Sequence, residues 1–474
     1  MITDHESSKS GPPVSIFHNR VRTLNNQSIR RGARYVLYWC QMNRRADSNL
    51  ALEFAVKQAN ALKLPVLVYE AVDCAYPYAN DRIHTFFLEG VPEMSRRLAA
   101  RGLGYVFYLR RNRQSPNDVL YRLAGDAALV VTDDYPVFVT RVQNQSVAPK
   151  IGVPYIAVES SCVVPPAVFG KKEYGAYTLR PKLHRVLSDY LRPVFPIEPV
   201  RPWAGELPEF HTEVAPGQIP AIAASCEIDH SVPPSICFKG GRLAAEGRLA
   251  HFVEHNLARY ASDRNEPCAH ATSDLSPYLH FGCISAIEVA LAARGAPEFL
   301  EELIVRRELA FNHAWHAPVP DSIGNLPDWA RATLAKHASD PRDFVYTRDQ
   351  FEHADTHDEL WNACQQEMLL RGKIHGYYRM YWGKKIVEWS TDPEEAVRTM
   401  VHIHDKYALD GRDPNTYTNI LWCLGLHDRP WQERPVFGMV RYMNLAGMRR
   451  KTDVDAYLRE IRSLQSGQDL HAQR

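Results

Sequence analysis

Short apolar runs alternate with longer stretches in which apolar residues recur every three or four positions through the first 190 residues of the chain. The runs are Tyr35–Trp39, Pro65–Tyr69, Tyr105–Leu109, Leu129–Thr132 and Pro154–Val158. Between them lie Leu50–Leu62 and Glu93–Ala100, whose spacing predicts amphipathic helices. Strand and helix in alternation mean βαβ units on a parallel sheet, a Rossmann-like α/β arrangement. Nine prolines fall between residues 193 and 234, at 193, 196, 199, 202, 208, 216, 220, 233 and 234, and predict a connecting segment. After about residue 240 the strand-like runs stop and helical spacing continues to the end. The polar first 30 residues predict a mobile tail. The expected division is a tail over 1–30, an α/β domain over 31–192, a linker over 193–238 and an all-helical domain over 239–474.

Composition narrows the class. Of 474 residues, 45% are hydrophobic and 23% charged, as in a soluble globular protein. No apolar run approaches the ~20 residues that span a bilayer. The first residues lack a basic segment followed by an apolar one, so no signal peptide is expected. Nine single cysteines without a CxxC pair predict reduced thiols in a cytoplasmic protein. The formal net charge is +1, which does not announce nucleic acid. Locally, Arg429, Arg434, Arg441, Arg449, Arg450 and Lys451 stand against Glu433 alone, which taken by itself reads as a solvated basic face.

Four constellations carry candidate chemistry. Tyr260, Arg264 and Asn265 precede Thr272-Ser273-Asp274-Leu275-Ser276-Pro277, a helix-start pattern whose hydroxyls and amides can hold a phosphate and which alone reads first as an ordinary cap. Trp361, Trp382 and Trp389 form a tryptophan set. Trp382 and Trp389 are seven apart and share a helix face; they are core filling unless a redox cofactor lies beside them. Asp410-Gly411-Arg412-Asp413-Pro414-Asn415, followed by Trp422, sets two carboxylates around a turn and reads either as a surface turn or as a clamp for a sugar hydroxyl or ring N–H. Glu302, in Leu300–Leu309, is either an ion-pair member or a half-buried carboxyl able to bond a ligand base. The histidine pairs His313/His316, His353/His357 and His402/His404 lack supporting ligands, so no metal is expected. No Gly-rich phosphate loop follows the first strand.

Taken together and in order, these stretches resemble the photolyase/cryptochrome family, and details resemble its class II branch. The strings are Tyr35-Val36-Leu37-Tyr38-Trp39, Glu173-Tyr174-Gly175 with Arg180-Pro181-Lys182, Leu275–Gly282, Glu301–Leu309, Met380-Tyr381-Trp382, and Lys406-Tyr407 leading into Asp410–Pro414. The resemblance covers about residues 31–465. It implies an antenna-type α/β domain, a helical FAD-binding domain and light-driven repair of cyclobutane pyrimidine dimers in double-stranded DNA by a monomeric enzyme. A second, antenna chromophore of the 8-hydroxydeazaflavin or folate kind is compatible with it.

By motif position, Tyr260 and Thr272, Ser273, Asp274, Leu275 and Ser276 should meet the FAD phosphates and ribose. Arg379, Asp410 and Asp413 should face the flavin ring. Glu302, Arg264, Asn265, Met380 and Trp422 should line the lesion pocket. Trp382, Trp361 and Trp389, in that order outward, resemble the branch's electron path. The chain departs from the branch at Thr416, at Asn419 and at His404, where an amide is usual beside the flavin. An imidazole there, titrating near neutral pH, would alter which flavin states are stable. A cryptochrome-like photoreceptor is the alternative reading. The chain ends about ten residues past its last helical pattern, without a long extension, and that favours the enzyme.

Overall fold

The computed structural model describes residues 15–467. Six strands form one sheet: β1 (Val21–Thr23), β2 (Tyr35–Cys40), β3 (Val66–Asp73), β4 (Gly104–Arg110), β5 (Ala127–Asp133) and β6 (Tyr155–Val158). Their order is β1-β6-β5-β2-β3-β4. All neighbours are parallel except β1, which runs antiparallel to β6. β2 and β5 are buried along their whole length, as central strands covered on both faces must be. Helices α1 (Leu50–Leu62), α2 (Asp81–Ala100), α3 (Val119–Asp126) and α4 (Phe138–Val147) make the crossovers. α1 begins where the Asn49 side chain accepts from the amides of Ala51 and Leu52. α5 (Ala176–Tyr190) follows the sheet, and the rest of the described chain is helical.

One sequence expectation needs correction. Residues 1–14 of the expected tail lie outside the described residues. Residues 15–30, however, are packed on the sheet. β1 pairs with β6, and the buried Arg20 guanidinium meets Glu159 and donates to the carbonyl of Val163 at 2.5 Å. A buried charge held this way anchors a polar segment that has no apolar pattern.

The proline-rich segment, expected as a connection, follows a fixed path along the sheet. Trp203 N donates to Gly102 O at 2.8 Å, Thr212 N to Phe107 O at 2.7 Å, and Phe107 N to His211 Nδ1 at 3.2 Å. The segment thus covers the open edge at β4, where unpaired backbone would otherwise invite another chain. Gly104 permits this, since a Cβ there would lie 2.5 Å from the Trp203 ring.

At the carboxyl end of β2, the amides of Gln41, Met42 and Asn43 all point at Asp133 Oδ2, at 2.8, 2.8 and 3.2 Å. The chain's own carboxylate therefore fills the position where a phosphate would sit in a glycine-rich fold. One apolar core runs from Val36 through Leu275, Tyr278 and Val289 to Leu409, so sheet and helices share it. A second core lies wholly among the helices, around Trp361, Trp382 and Met400.

Candidate functional site

The helical region encloses a cavity of about 690 Å3. That lies within the roughly 300–1,000 Å3 typical of small-molecule sites. Every residue expected by motif position to meet the flavin or the lesion lines it, and so does Trp382, whereas Trp361 and Trp389 lie behind its wall.

One end is built on Thr272–Ser276. Asp274 takes a left-handed backbone turn, φ 52°, just before the short helix Ser276–His280. Its carboxylate meets Lys373 Nζ at 2.5 Å and Arg248 at 3.8 Å. Burial would raise its pKa, but Lys373 outweighs that and holds it at about 2. Asp274 is thus an anion already paired, and it holds Lys373 at the cavity that both residues line. Leu275 is almost fully buried, so only its backbone is placed to serve a ligand.

Asp410 is the hub of the next wall. Its oxygens accept from Ser276 Oγ at 2.7 Å and from Arg379 Nη2 at 3.0 Å. Burial opposes ionisation, yet Arg379 and then Lys373 hold the carboxyl at about 2. Asp413 borders the cavity too, but its oxygens accept from Tyr135 at 2.6 Å, His280 at 3.3 Å and the Asn415 amide at 2.9 Å. Asp413 caps the helix Pro414–Trp422 and ties it to the loop after β5, so its carboxylate is engaged by the protein. Burial acts against its charge, but the His280 bond leads the groups that keep it well below the usual carboxylate range.

His404 is 2% exposed and borders the cavity, 5.2 Å from the Trp382 ring. Burial first, and the Arg379 charge second, push it down to about 3. Both effects disfavour the charged imidazole, against the expectation that it titrates near neutral pH. Its Nδ1 has no partner, and neither do Arg379 Nε and His375 Nε2. Three buried polar atoms of cavity residues without partners fit a polar ligand better than an apolar one.

The other arm holds Glu302, Arg264, Asn265, Met380 and Trp422. Glu302 accepts from Arg264 Nη1 at 2.8 Å and sits in a wide π turn, Glu301–Arg306, a device often found at functional sites. It therefore combines the two readings of the sequence: an ion-pair member that borders the pocket. Arg441 borders the same cavity. At its rim Trp431, 40% exposed, lies under Arg429 and Arg441 at 4.7 and 5.2 Å.

Trp382 joins the cavity to a row of rings. It stacks on Trp361 with centroids 6.3 Å apart and 8° between planes, and Trp361 meets Trp389 edge-on at 6.2 Å. The indole N–H of Trp361 donates to Trp382 O and that of Trp382 to Gln365 Oε1, both at 3.0 Å. The order runs away from the cavity as expected, but Trp389 does not reach solvent. It is 3% exposed, beneath Tyr346 at 5.7 Å and His357 at 4.9 Å.

Lys373 was missed from sequence. A lone lysine after Gly372 carries no local signal, and Asp274, 99 positions earlier, is what places it. His280 lay inside a quoted motif, but nothing local marked its contact with Asp413. The histidine rings of the suspected pairs make ordinary bonds, such as His313 to Pro320 O and His402 to Glu352.

The DNA photolyase family pattern matches residues 36–201. The chain is 39% identical to the deoxyribodipyrimidine photo-lyase of Methanothermobacter thermautotrophicus over 95% of its own length and 99% of that protein's. It is 39% identical to that of Oryza sativa, over 94% and 91% of the two chains, and 34% identical to that of Potorous tridactylus, over 96% and 87%. The fold resembles that of a Sulfolobus tokodaii photolyase crystallised with two FAD molecules, with a TM-score of 0.66, 16% identity and coverage of 91% and 92%. It also resembles a class III photolyase of Agrobacterium tumefaciens, with a TM-score of 0.66, 18% identity and coverage of 90% and 86%. With such identity along nearly its whole length, the chain belongs to the deoxyribodipyrimidine photo-lyase family.

Proposed function

We propose that this chain uses light to repair cyclobutane pyrimidine dimers in DNA, in the manner of a class II enzyme, with FAD in the helical cavity. One observation carries the reading. A single cavity brings together, from five separate stretches of sequence, the residues expected to hold a flavin and those expected to hold the lesion, and its wall opens onto stacked tryptophans. The unpartnered atoms of Arg379, His404 and His375 fit such a cofactor. When bound, reduced FAD supplies the photoexcited electron that the reaction lends and regains.

The chain's own residues do the rest. Lys373, Ser273, Ser276 and Tyr260 are the groups for the diphosphate and ribose, and Arg379 with Asp410 for the ring. The damaged dinucleotide leaves the duplex, at least cost where stacking is already distorted. Trp422 offers a stacking surface worth roughly 1–3 kcal/mol per base. Glu302, held by Arg264, presents a carboxylate to the bases, and Met380 fills beside it. Trp382, Trp361 and Trp389 carry electrons inward when the flavin must be reduced. Arg429, Arg441 and their neighbours attract phosphates, so binding weakens with salt. An antenna chromophore of the 8-hydroxydeazaflavin or folate kind remains part of the proposal, without assigned residues. All nine cysteines are free, which supports a reducing, cytoplasmic setting, and the protein is proposed to act as a monomer. No described helix is long and apolar enough to cross a membrane.

The test is the bound flavin. Denaturing the purified protein should release about one FAD per chain from a site of this kind. A protein that releases none overturns the reading.

A further inference from the structure

The motif Glu173-Tyr174-Gly175 with Arg180-Pro181-Lys182 has no place in the chemistry above. It lies in the loop before α5 and at that helix's start, yet the helical region pins it. Asn312 Oδ1 accepts from the Glu173 amide at 2.7 Å, and Asn312 Nδ2 donates to Lys171 O at 3.1 Å. His316 holds the Phe169 carbonyl at 2.8 Å and His427 Nδ1 the Tyr174 carbonyl at 2.6 Å. Arg180 grips Glu301 through two bonds, at 2.9 and 2.6 Å. Glu173 is buried against Lys182 at 2.5 Å.

This rigid backbone nonetheless leaves its aromatic rings in solvent. Tyr174 is 47% exposed and Tyr177 66%, with ring centroids 6.1 Å apart. Trp329 Nε1 donates to the Tyr174 hydroxyl at 3.3 Å. Cations lie near the pair: Lys171 and Lys172 precede it in sequence, Lys172 Nζ donating to Asn325 O at 3.1 Å, and the exposed Arg306, 3.4 Å from Glu301, lies on the cavity side. Burial, and after it His313, Lys172 and Arg306, push the adjacent His427 down to about 4. The next residue, Asp428, borders the cavity, as Arg306 does. The patch therefore abuts the cavity mouth, where Trp431, Arg429 and Arg441 also lie. Fixed aromatic faces beside cations are what nucleic-acid surfaces use, since rings accept bases and cations accept phosphates.

We propose that Tyr174 and Tyr177, with Lys171, Lys172 and Arg306, form a second DNA-contacting surface, which holds the strand on one flank of the lesion while the dinucleotide occupies the cavity. The proposal rests on the repair reading and extends its footprint to the α/β half of the chain.

The test uses the flavin-loaded protein in the dark with two probes: a duplex of roughly 30 base pairs carrying one central dimer, and a single-stranded hexanucleotide carrying the same dimer, which fills the cavity alone. The variant combines Lys171→Ala and Tyr177→Ala, both exposed, and unchanged flavin absorbance checks its fold. It should bind the duplex roughly five- to tenfold more weakly, as for a lost stacking contact. Its slope of log affinity against log salt should fall by about 0.9, one phosphate contact. Hexanucleotide affinity should stay the same. Unchanged duplex affinity and slope would overturn the proposal, as would an equal loss with both probes. If the parent protein shows no preference for dimer-containing over undamaged duplex, the repair reading fails. The surface is then judged on undamaged duplex alone, which the variant should still bind more weakly.

Discussion

Asp410→Asn is the substitution whose consequences the structure specifies most fully. The side chain is buried and its oxygens accept from Ser276 and Arg379. The amide keeps the shape but loses the charge, leaving the Arg379 guanidinium, 18% exposed, without its counter-ion. Removing one partner of a buried pair typically costs about 3–5 kcal/mol. A second route gives a similar size. The carboxyl is held at about 2, against 3.8 for an unperturbed aspartate. At about 1.36 kcal/mol per unit, that difference is worth on the order of 2–3 kcal/mol near neutral pH. The folded-state pKa is depressed, so the stabilisation is complete above about pH 4 and is lost as pH falls toward 2. Denaturant unfolding of flavin-free protein at pH 7 should show a loss of about 2–4 kcal/mol, and the variant should retain less FAD after gel filtration. The parent's stability should drop more steeply than the variant's between pH 4 and 2. An unchanged unfolding midpoint together with full FAD retention would refute the argument, because it would mean that Arg379 needs no anion there.

Three further substitutions test other parts of the site. Trp382→Phe should block photoreduction of oxidised flavin while leaving FAD bound, and repair should persist once the flavin is reduced chemically; equal photoreduction rates would show that the row is only core. Glu302→Ala should lower repair per bound flavin by more than it lowers FAD content, by roughly tenfold or more if one buried polar partner is left unmet; unchanged repair would remove Glu302 from the lesion site. His404→Asn should leave the pH dependence of the bound-flavin spectrum flat between pH 5 and 8, as in the parent, because the folded imidazole is held near 3. Its effect should fall on stability: the unfolded chain takes up a proton below about 6.5 and the folded one does not, so the parent loses stability as pH falls from about 6.5 toward 3 and the variant loses less. A titration step of the parent's flavin spectrum near pH 6.5 that the variant lacks would contradict this.

The strands were legible because central parallel strands must be apolar on both faces, and β2 and β5 are. β1 was not. It has three residues, all exposed, and owes its position to β6 and to the buried Arg20–Glu159 pair, neither of which leaves a local pattern. The prolines of 193–234 marked a connection but not its path, which depends on a hydrogen-bonding edge at β4 some hundred residues earlier. In the site, residue types were legible while directions were not. Asp274 and Asp413 stood where anions could meet a ligand, and in the fold each is turned to a protein partner. Lys373, which Asp274 holds at the cavity, had no sequence mark. His404 was conspicuous, but its charge state is decided by burial, which only the packing around Trp382 and Arg379 reveals.

Light-driven repair of pyrimidine dimers by this chain can be measured outright. The direct measurement mixes the purified protein, flavin chemically reduced, with a duplex oligonucleotide containing one cyclobutane dimer, and follows the dimer by chromatography under near-ultraviolet or blue light and in the dark. Intact thymines should appear with illumination, over many turnovers per protein molecule, with no change in the dark. A dimer that stays intact under light, in protein shown to hold reduced FAD and to bind that oligonucleotide, would contradict it.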